Sequence, residues 1–154
     1  MSTYFEPIWQ FLSITEVGLI AIGITSFLAA TVMPLGSEPY LLAFLALHPQ
    51  QYLEAVVIAS IANTLGGLST WYLGSLSNRL VSSESKFEKH HKLLKYMKKY
   101  GARMLVFSWL PVVGDVISGL AGWLKLPLGP CFFYMLIGKS LRYVLIAVTF
   151  LQIR

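Results

Sequence analysis

A proline-rich interruption, residues 33–39, separates two apolar stretches and constrains the fold more than any other feature of the sequence. Pro34 lacks the backbone donor that a helix needs, and a proline disfavours helical geometry in the residue before it. Pro39 has the same effects, and Gly36 between the two prolines tolerates almost any backbone dihedral. A helix that enters this stretch must therefore end there, and the carboxylate of Glu38 lies at the break.

A second interruption reads Pro-Val-Val-Gly-Asp and begins at Pro111. Each interruption has an acid four positions after its first proline, Glu38 in one case and Asp115 in the other. A glycine lies between proline and acid in both, and in the second it is Gly114. We therefore predict that the two breaks form the functional centre of the protein.

The composition predicts a membrane protein. Hydrophobic residues make up 56% of the chain and charged residues 12%, and the mean hydropathy is +0.66. Soluble domains carry about 25% charged residues. Only helices and closed barrels satisfy the backbone in lipid, and these apolar runs lack the alternation of a barrel strand. The predicted class is therefore an all-α integral membrane protein in a single domain, residues 1–154.

The two halves of the chain have the same order of segments. Repeat 1 covers about residues 15–78 and repeat 2 about residues 103–151, each with an apolar arm, a break, a short arm and a spanning helix. For the first half two interpretations remain: residues 17–37 span the membrane and a loop follows, or residues 15–47 form a re-entrant hairpin. Matching broken segments in two halves are typical of secondary transporters. The predicted architecture is two inverted repeats, each a re-entrant helical hairpin followed by a transmembrane helix.

A basic stretch joins the two repeats. Eight of the twelve Lys and Arg residues lie between Arg79 and Arg103, which places this stretch in the cytoplasm by the positive-inside rule. Residues 83–101 have the pattern of an amphipathic surface helix that ends at Gly101, and their basic side favours an anionic lipid surface as partner. Nucleic acid is not an expected partner beside membrane segments, and a homo-oligomer is compatible with the sequence. His90 and His91 diverge on this helix and predict a solvated face.

Small and polar residues recur at helical spacing in the first spanning helix. Gly66 and Gly74 lie eight positions apart with Thr70 midway, and Gly67 follows Asn63 by four. Small residues at this spacing let the backbone of another helix approach closely. The amide of Asn63 needs a hydrogen-bond partner within the membrane.

Two cations in the last apolar segment, Lys139 and Arg142, balance the two acids. In a functional interpretation Glu38 and Asp115 bind and release protons while the cations bind an anionic headgroup. Arg142 is the better phosphate ligand because its planar fork matches phosphate oxygens bidentately. The alternative is an ion-pair network that only fastens the repeats together.

No enzyme motif accompanies these charges. Ser108, His48 and Asp115 could be drawn as a triad, but the Gly-x-Ser-x-Gly elbow is absent, as are phosphate-loop and zinc-protease motifs. The single cysteine, Cys131, excludes an internal disulfide. The sequence therefore predicts neither an enzyme nor a bound cofactor or metal.

The combined motifs resemble the DedA membrane protein family, also called the SNARE-associated or VTT-domain family, and within it the short YqaA-like bacterial branch. The resemblance covers about residues 27–148. It rests on the first break with Glu38 and on the motifs Asn63-x-x-Gly66-Gly67, Tyr72-x-Gly74, Ser108–Asp115, Leu120–Trp123, Gly129-Pro130 and Gly138-Lys139-x-Leu141-Arg142-Tyr143. It implies paired re-entrant hairpins, a multi-pass protein of the bacterial inner membrane, and translocation of lipids, often dependent on the proton gradient.

One family motif differs here. Larger members have Phe-x-Arg-x-hydrophobic-Pro-x-x-Arg in the second hairpin. Pro111 matches this pattern, but Ser108 and Gly114 stand at the two arginine positions. Arg142 and Lys139 are therefore the predicted substitutes in headgroup binding.

The leading functional hypothesis is a flippase-like or scramblase-like transporter of an anionic lipid, such as a polyprenyl phosphate or a phospholipid, with proton coupling through Glu38 and Asp115. Two alternatives are a non-transporting membrane scaffold or assembly factor, and a small proton-coupled exporter of drugs or solutes.

Topology tests the hairpin prediction directly. With the basic stretch in the cytoplasm, two hairpins plus two spanning helices put both termini outside, whereas four plain spans put both inside. A reporter fused after Arg154 is expected to be active on the periplasmic side. A cytoplasmic signal would contradict the hairpin architecture.

Overall fold

A computed structural model of the chain describes residues 15–31, 37–80 and 91–153. Within these ranges every regular element is helical, so the predicted all-α fold is confirmed. Pro34 and Gly36 of the first break and the beginning of the predicted linker helix lie outside the described residues. The helices are α1 (Thr15–Thr31), α2 (Glu38–Leu47), a 3₁₀ turn (Pro49–Gln51), α3 (Tyr52–Leu80), α4 (His91–Tyr100), a 3₁₀ helix that we call the 3₁₀ arm (Gly101–Trp109), α5 (Val113–Trp123) and α6 (Leu128–Ile153).

Two of the described helical segments have the length and apolarity needed to cross a membrane. They are Pro49–Ser77, with 29 residues, and Leu128–Ile153, with 26. At ~1.5 Å per residue each exceeds the ~30 Å thickness of the hydrocarbon core. Both coincide with the predicted spanning helices. By contrast α2, with 10 residues, and α5, with 11, rise only about 15 Å each. Helix α2 occupies the stretch that one interpretation assigned to a loop, so this stretch is helical.

The two halves pack on each other in a reciprocal manner. The first arm of each half lies against the spanning helix of the same half: α1 packs on α3, and the 3₁₀ arm packs on α6. The second arm of each half contacts the spanning helix of the other half: α5 packs on α3, and α2 contacts α6 as well as α3. The spanning helices also pack directly on each other. Neither half therefore buries its arms without the other.

The core consists of two apolar clusters. One is built around Phe44, Ala59 and Tyr143, and the other around Leu105, Leu120 and Met135. Helix α3 passes from the first cluster to the second, and α6 passes from the second to the first, so the two helices run in opposite directions. The buried polar side chains lie largely between the clusters, and they include Ser26, Ser37, Ser60, Asn63, Thr64, Ser108, Ser118 and Lys139.

This polar layer lies near the middle of both spanning helices. Asn63 has 14 residues of the segment Pro49–Ser77 on either side. Lys139 has 11 residues of Leu128–Ile153 before it and 14 after it. Polar groups at the centre of a membrane span must find partners within the protein, because lipid offers none.

Helix α4 directs its apolar side toward protein. Met97 is fully buried, and Leu93 and Leu94 pack against the second apolar cluster. The lysine side of α4 remains exposed. Gly101 ends the helix with a φ of 61°, which a glycine adopts without strain, so the predicted helix stop is confirmed. In the described part of the basic stretch, the apolar face is thus covered by the helices of repeat 2.

Glycines permit the closest helix contact, that between α3 and α5. A Cβ atom added to Gly74 would collide with the carbonyl oxygen of Gly119 on α5, and one added to Gly122 would collide with the carbonyl oxygen of Trp71 on α3. The backbones can approach this closely only because both side chains are absent.

We expect Gly74→Ala to destabilise the protein by roughly 1–3 kcal/mol, because the added methyl group must push α5 away from α3. Gly129→Ala is a matched control, since a Cβ atom there meets nothing within 4 Å. It should be neutral or slightly stabilising, because alanine favours the helix. Thermal unfolding of the purified protein in detergent measures both effects. Equal midpoints for the two variants would contradict the close contact.

Candidate functional site

The second break is a strained three-residue turn. Leu110, which precedes Pro111, leaves the 3₁₀ arm in an extended conformation with ψ of 127°, as a residue before proline prefers. Val112 has a φ of 63° and a ψ of −52°, and the Val113 N–H donates a 2.6 Å hydrogen bond to the Pro111 carbonyl. These values describe a γ-turn of the rare, strained form. A β-branched residue in this conformation costs about 1–3 kcal/mol, and such strain clusters at functional sites.

Gly114 follows this turn in the first turn of α5, where space rather than backbone freedom requires a glycine. A Cβ atom at this position would lie 2.5 Å from the Ser108 carbonyl oxygen. On the other side of the 3₁₀ arm, a Cβ atom on Gly138 would lie 2.8 Å from Ser108 Oγ. The arm is thus held between α5 and α6. This contact positions Asp115, the next residue after Gly114, beside α6.

Lys139 occupies the centre of the polar layer. Its side chain is 2% exposed, and Nζ donates a 2.7 Å hydrogen bond to the Asn63 carbonyl on α3. Asp115 Oδ1 lies 4.0 Å from the same nitrogen, and the Asp115 side chain is 36% exposed. Asn63 in turn donates through Nδ2 to the Ser26 carbonyl of α1 at 2.8 Å. One buried cation therefore connects α3, α5 and α6, and Asn63 extends the connection to α1.

Gly67 provides the space for this lysine. A Cβ atom at this position would lie 3.0 Å from Lys139 Nζ and 3.0 Å from Met135 Sδ. Gly66 and Gly74, by contrast, face α1 and α5 rather than the charged groups: a Cβ atom on Gly66 would lie 2.5 Å from the Phe27 carbonyl oxygen. Of the predicted packing residues, Asn63 and Gly67 thus contact the site directly.

The second ion pair joins the two halves of the chain. Arg142 on α6 contacts the Glu38 carboxylate, which lies in the first turn of α2, and both side chains are largely buried. The adjacent residues make a second contact, a hydrogen bond between the hydroxyl groups of Ser37 and Tyr143. Pro39, predicted as part of the break, lies in the first turn of α2, where its missing N–H costs no hydrogen bond.

Sequence reasoning missed Ser37 and Tyr143. In the sequence Tyr143 is only the last residue of a family motif, whereas in the structure it is 1% exposed and its hydroxyl is bonded to Ser37. The sequence signal for this contact was adjacency: Ser37 precedes Glu38, and Tyr143 follows Arg142. If Glu38 meets Arg142, the neighbouring residues can meet as well.

A small cavity lies where the start of α2 and the second break meet the spanning helices. It has about 20 Å³ of room for water, enough for one molecule. Its wall combines residues of α1, the second break and both spanning helices. The polar groups in it come from Ser37, Asn63, Ser108, Asp115, Lys139 and Arg142. The structure thus brings three of the four predicted charged residues to one cavity, and Glu38 adjoins it through Arg142.

Comparison with known proteins places these features in a family. The profile of the VTT domain matches residues 33–152, which include both acids and both cations of the site. The chain is 37% identical over 134 residues to the inner membrane protein YqaA of Escherichia coli and, to the same extent, to that of Shigella flexneri; each match covers 87% of this chain and 92% of the relative. It is 34% identical over 128 residues to an uncharacterised protein of Haemophilus influenzae, covering 79% of this chain and 80% of that one. No solved structure matches significantly.

We expect a double-mutant cycle to detect the contact between Glu38 and Arg142. Arg142→Gln alone leaves a buried carboxylate without its cation, which costs about 3–5 kcal/mol, and Glu38→Gln alone leaves a buried guanidinium. The double variant leaves no unpaired charge at this contact and should be more stable than either single variant. Thermal unfolding in detergent gives the coupling energy.

Glu54→Gln is the control for this cycle, because Glu54 is an exposed carboxylate at the start of α3. Combined with Arg142→Gln it should give additive changes. Additive behaviour of the Glu38 and Arg142 changes would contradict the ion pair.

Proposed function

The chain belongs to the VTT-domain (DedA) family of bacterial inner-membrane proteins, and from this premise we propose that it moves an anionic lipid across that membrane. The proposed binding site is the cavity at the polar layer, with Arg142 and Lys139 as ligands of the headgroup and Glu38 and Asp115 as exchangeable counter-ions. We propose a transporter rather than an enzyme.

The observation that carries this proposal is the charge balance of a site half-way along both spanning helices. Two carboxylates face two cations, so the site is neutral without substrate. An anionic headgroup would add negative charge, and uncompensated charge in a low-dielectric interior is costly. Protonation of Glu38 or Asp115 restores neutrality. Headgroup binding and proton uptake are therefore favoured together, which gives a physical reason for coupling to the proton gradient.

The two ion pairs have different roles in this scheme. Arg142 and Glu38 are in direct contact, so a phosphate can bind the guanidinium bidentately only if the carboxylate releases it. Protonation of Glu38 weakens that contact and favours release. Asp115 lies at 4.0 Å from Lys139 and is the more exposed acid, which favours it as the group that exchanges protons with water.

A headgroup needs more room than the cavity provides. Space for one water molecule cannot hold a phosphate, so binding requires the arms to move apart. The strained γ-turn at Val112 lies in the cavity wall. Its strain favours a hinge at this point, because an opening that moves the Val112 dihedrals into an allowed region relieves the strain.

The lengths of the arms support the re-entrant, inverted-repeat architecture. Helices α2 and α5 each rise about half of the ~30 Å hydrocarbon thickness. Both begin at the polar layer, with Glu38 and Asp115 in their first turns. Arms that turn back at mid-membrane are tolerated where protein covers the irregular backbone. Reciprocal packing of the two halves is what an inverted repeat produces, and transporters of that kind bind substrate at the repeat interface.

A specific observation also favours the scaffold alternative. The Lys139 ammonium is buried against a backbone carbonyl and Asp115, and Ser37 and Tyr143 fasten α2 beside the other ion pair. Such contacts would equally hold the repeats together in a protein that moves nothing. The scaffold hypothesis predicts that Glu38→Gln combined with Asp115→Asn leaves cellular function intact.

Reconstitution tests transport. Purified protein in liposomes is expected to move a fluorescent phosphatidylglycerol or a polyprenyl phosphate between leaflets, faster when a proton gradient is imposed. Asp115→Asn and Glu38→Gln should each remove the dependence on the gradient, because the site can then no longer exchange that proton. Arg142→Gln should lower the rate roughly tenfold or more through loss of a charge-assisted hydrogen bond.

Glu54→Gln is the control here as well and should retain the parental rate and gradient dependence. Absence of lipid movement by the parental protein, under either condition, would overturn the proposal. Resistance to toxic solutes that depends on Glu38, without lipid movement, would favour the exporter alternative.

A further inference from the structure

An apolar groove runs along α6 on the C-terminal side of the ion pair. It has a volume of about 390 Å³ and opens toward the outside of the protein. One wall is Leu42 of α2, and the remaining residues belong to α6: Leu145, Ile146, Thr149, Phe150 and Ile153. The groove is separate from the polar cavity.

The groove shares its helix faces with the ion pair. Its residues on α6 follow Arg142 at +3, +4, +7, +8 and +11, the spacing of a single helix face. On α2, Leu42 follows Glu38 by four positions and thus lies on the same face as that carboxylate. The ion pair is therefore the polar end of a continuous apolar surface.

We propose that this groove binds one hydrocarbon chain of the anionic lipid whose headgroup is held by Arg142, an inference that rests on the proposed transport function. Helix α6 is a membrane span, so the open side of the groove faces lipid tails. A ligand that is anionic at one end and apolar along its length matches the order of groups on α6. The charge of Arg142 selects the headgroup, and the apolar residues accept the chain.

The length of the groove fits a chain that occupies one leaflet. Ile153 lies 11 positions after Arg142, a rise of about 16 Å. Half of the hydrocarbon thickness is about 15 Å. A lipid whose headgroup has reached mid-membrane would thus extend its chain over the rest of the groove, toward the C-terminal end of α6. If the basic stretch is cytoplasmic and the second hairpin is re-entrant, α6 begins at the cytoplasmic surface and its C-terminal end lies in the periplasmic leaflet. The chain of the bound lipid then points to the periplasm, and its headgroup is directed to the cytoplasmic side.

Photolabelling tests this proposal. The probe is phosphatidylglycerol with a diazirine in the acyl chain, incorporated into phosphatidylcholine nanodiscs that contain the full-length protein. Labelled residues are located by mass spectrometry. We expect labels to concentrate on residues 145–153, several-fold above those from a matched phosphatidylcholine probe. Arg142→Gln should reduce the phosphatidylglycerol signal to that of phosphatidylcholine.

Filling the groove gives the decisive variants. Thr149→Trp from α6 and Leu42→Trp from α2 place an indole in the groove from opposite walls, and each should lower groove labelling roughly tenfold, equivalent to ~1.4 kcal/mol. Val148→Trp is the matched control, because Val148 is exposed on another face of α6 next to Thr149. It should leave groove labelling unchanged. A monodisperse elution profile verifies that each variant is folded.

The outcomes separate this inference from the proposed function. Uniform labelling of all lipid-facing residues, unaffected by Thr149→Trp, would overturn the groove assignment. So would a dimer that Thr149→Trp converts to a monomer, because a second copy would then cover the groove. If Thr149→Trp loses groove labelling but transports lipid at the parental rate, the groove is not part of the transport path. The proposed function would be unaffected by that result. Groove labelling without transport by the parental protein would support chain binding and overturn the proposed function.

Discussion

The structure depends on the need to compensate one buried ammonium group. Lys139 lies near the middle of a helix long enough to span a membrane and is almost completely buried. A charge at that depth persists only if the protein supplies partners for it. The partners come from two other elements: the Asn63 carbonyl from the first spanning helix and the Asp115 carboxylate from the second break. The contacts of Lys139 thus determine how α3, α5 and α6 lie relative to one another.

Close backbone packing makes this compensation geometrically feasible. Glycines at positions 67, 114 and 138 leave room for Lys139, for the 3₁₀ arm and for its contact with α6. A methyl group at any of them would meet a neighbouring atom at 3.0 Å or less. Small residues in a membrane helix commonly serve association between helices. Here they also determine how near the charged side chains can come to one another.

The origin of the cations distinguishes this chain from the pattern of larger family members. The two positions that carry arginine in that pattern, three residues before and three residues after the proline, are Ser108 and Gly114 here. Ser108 is buried in the 3₁₀ arm, and Gly114 is packed too closely against Ser108 to accept a side chain. The charges come from α6 instead, where Lys139 and Arg142 each face one of the acids. In this chain a spanning helix, and not the second break, thus supplies the cations of the polar layer.

The sequence by itself determined the helical class, the two spanning helices, the break at Pro111 and the four charged residues. These follow from local physics: proline geometry, the length of apolar runs and the cost of charge in lipid. Which acid meets which cation, the γ-turn at Val112, the bond between Ser37 and Tyr143 and the groove beside Arg142 were decided only by the tertiary structure. They depend on the packing of segments up to about 100 residues apart in the chain, as with Glu38 and Arg142, and no local pattern specifies how closely two such helices approach or which faces they share.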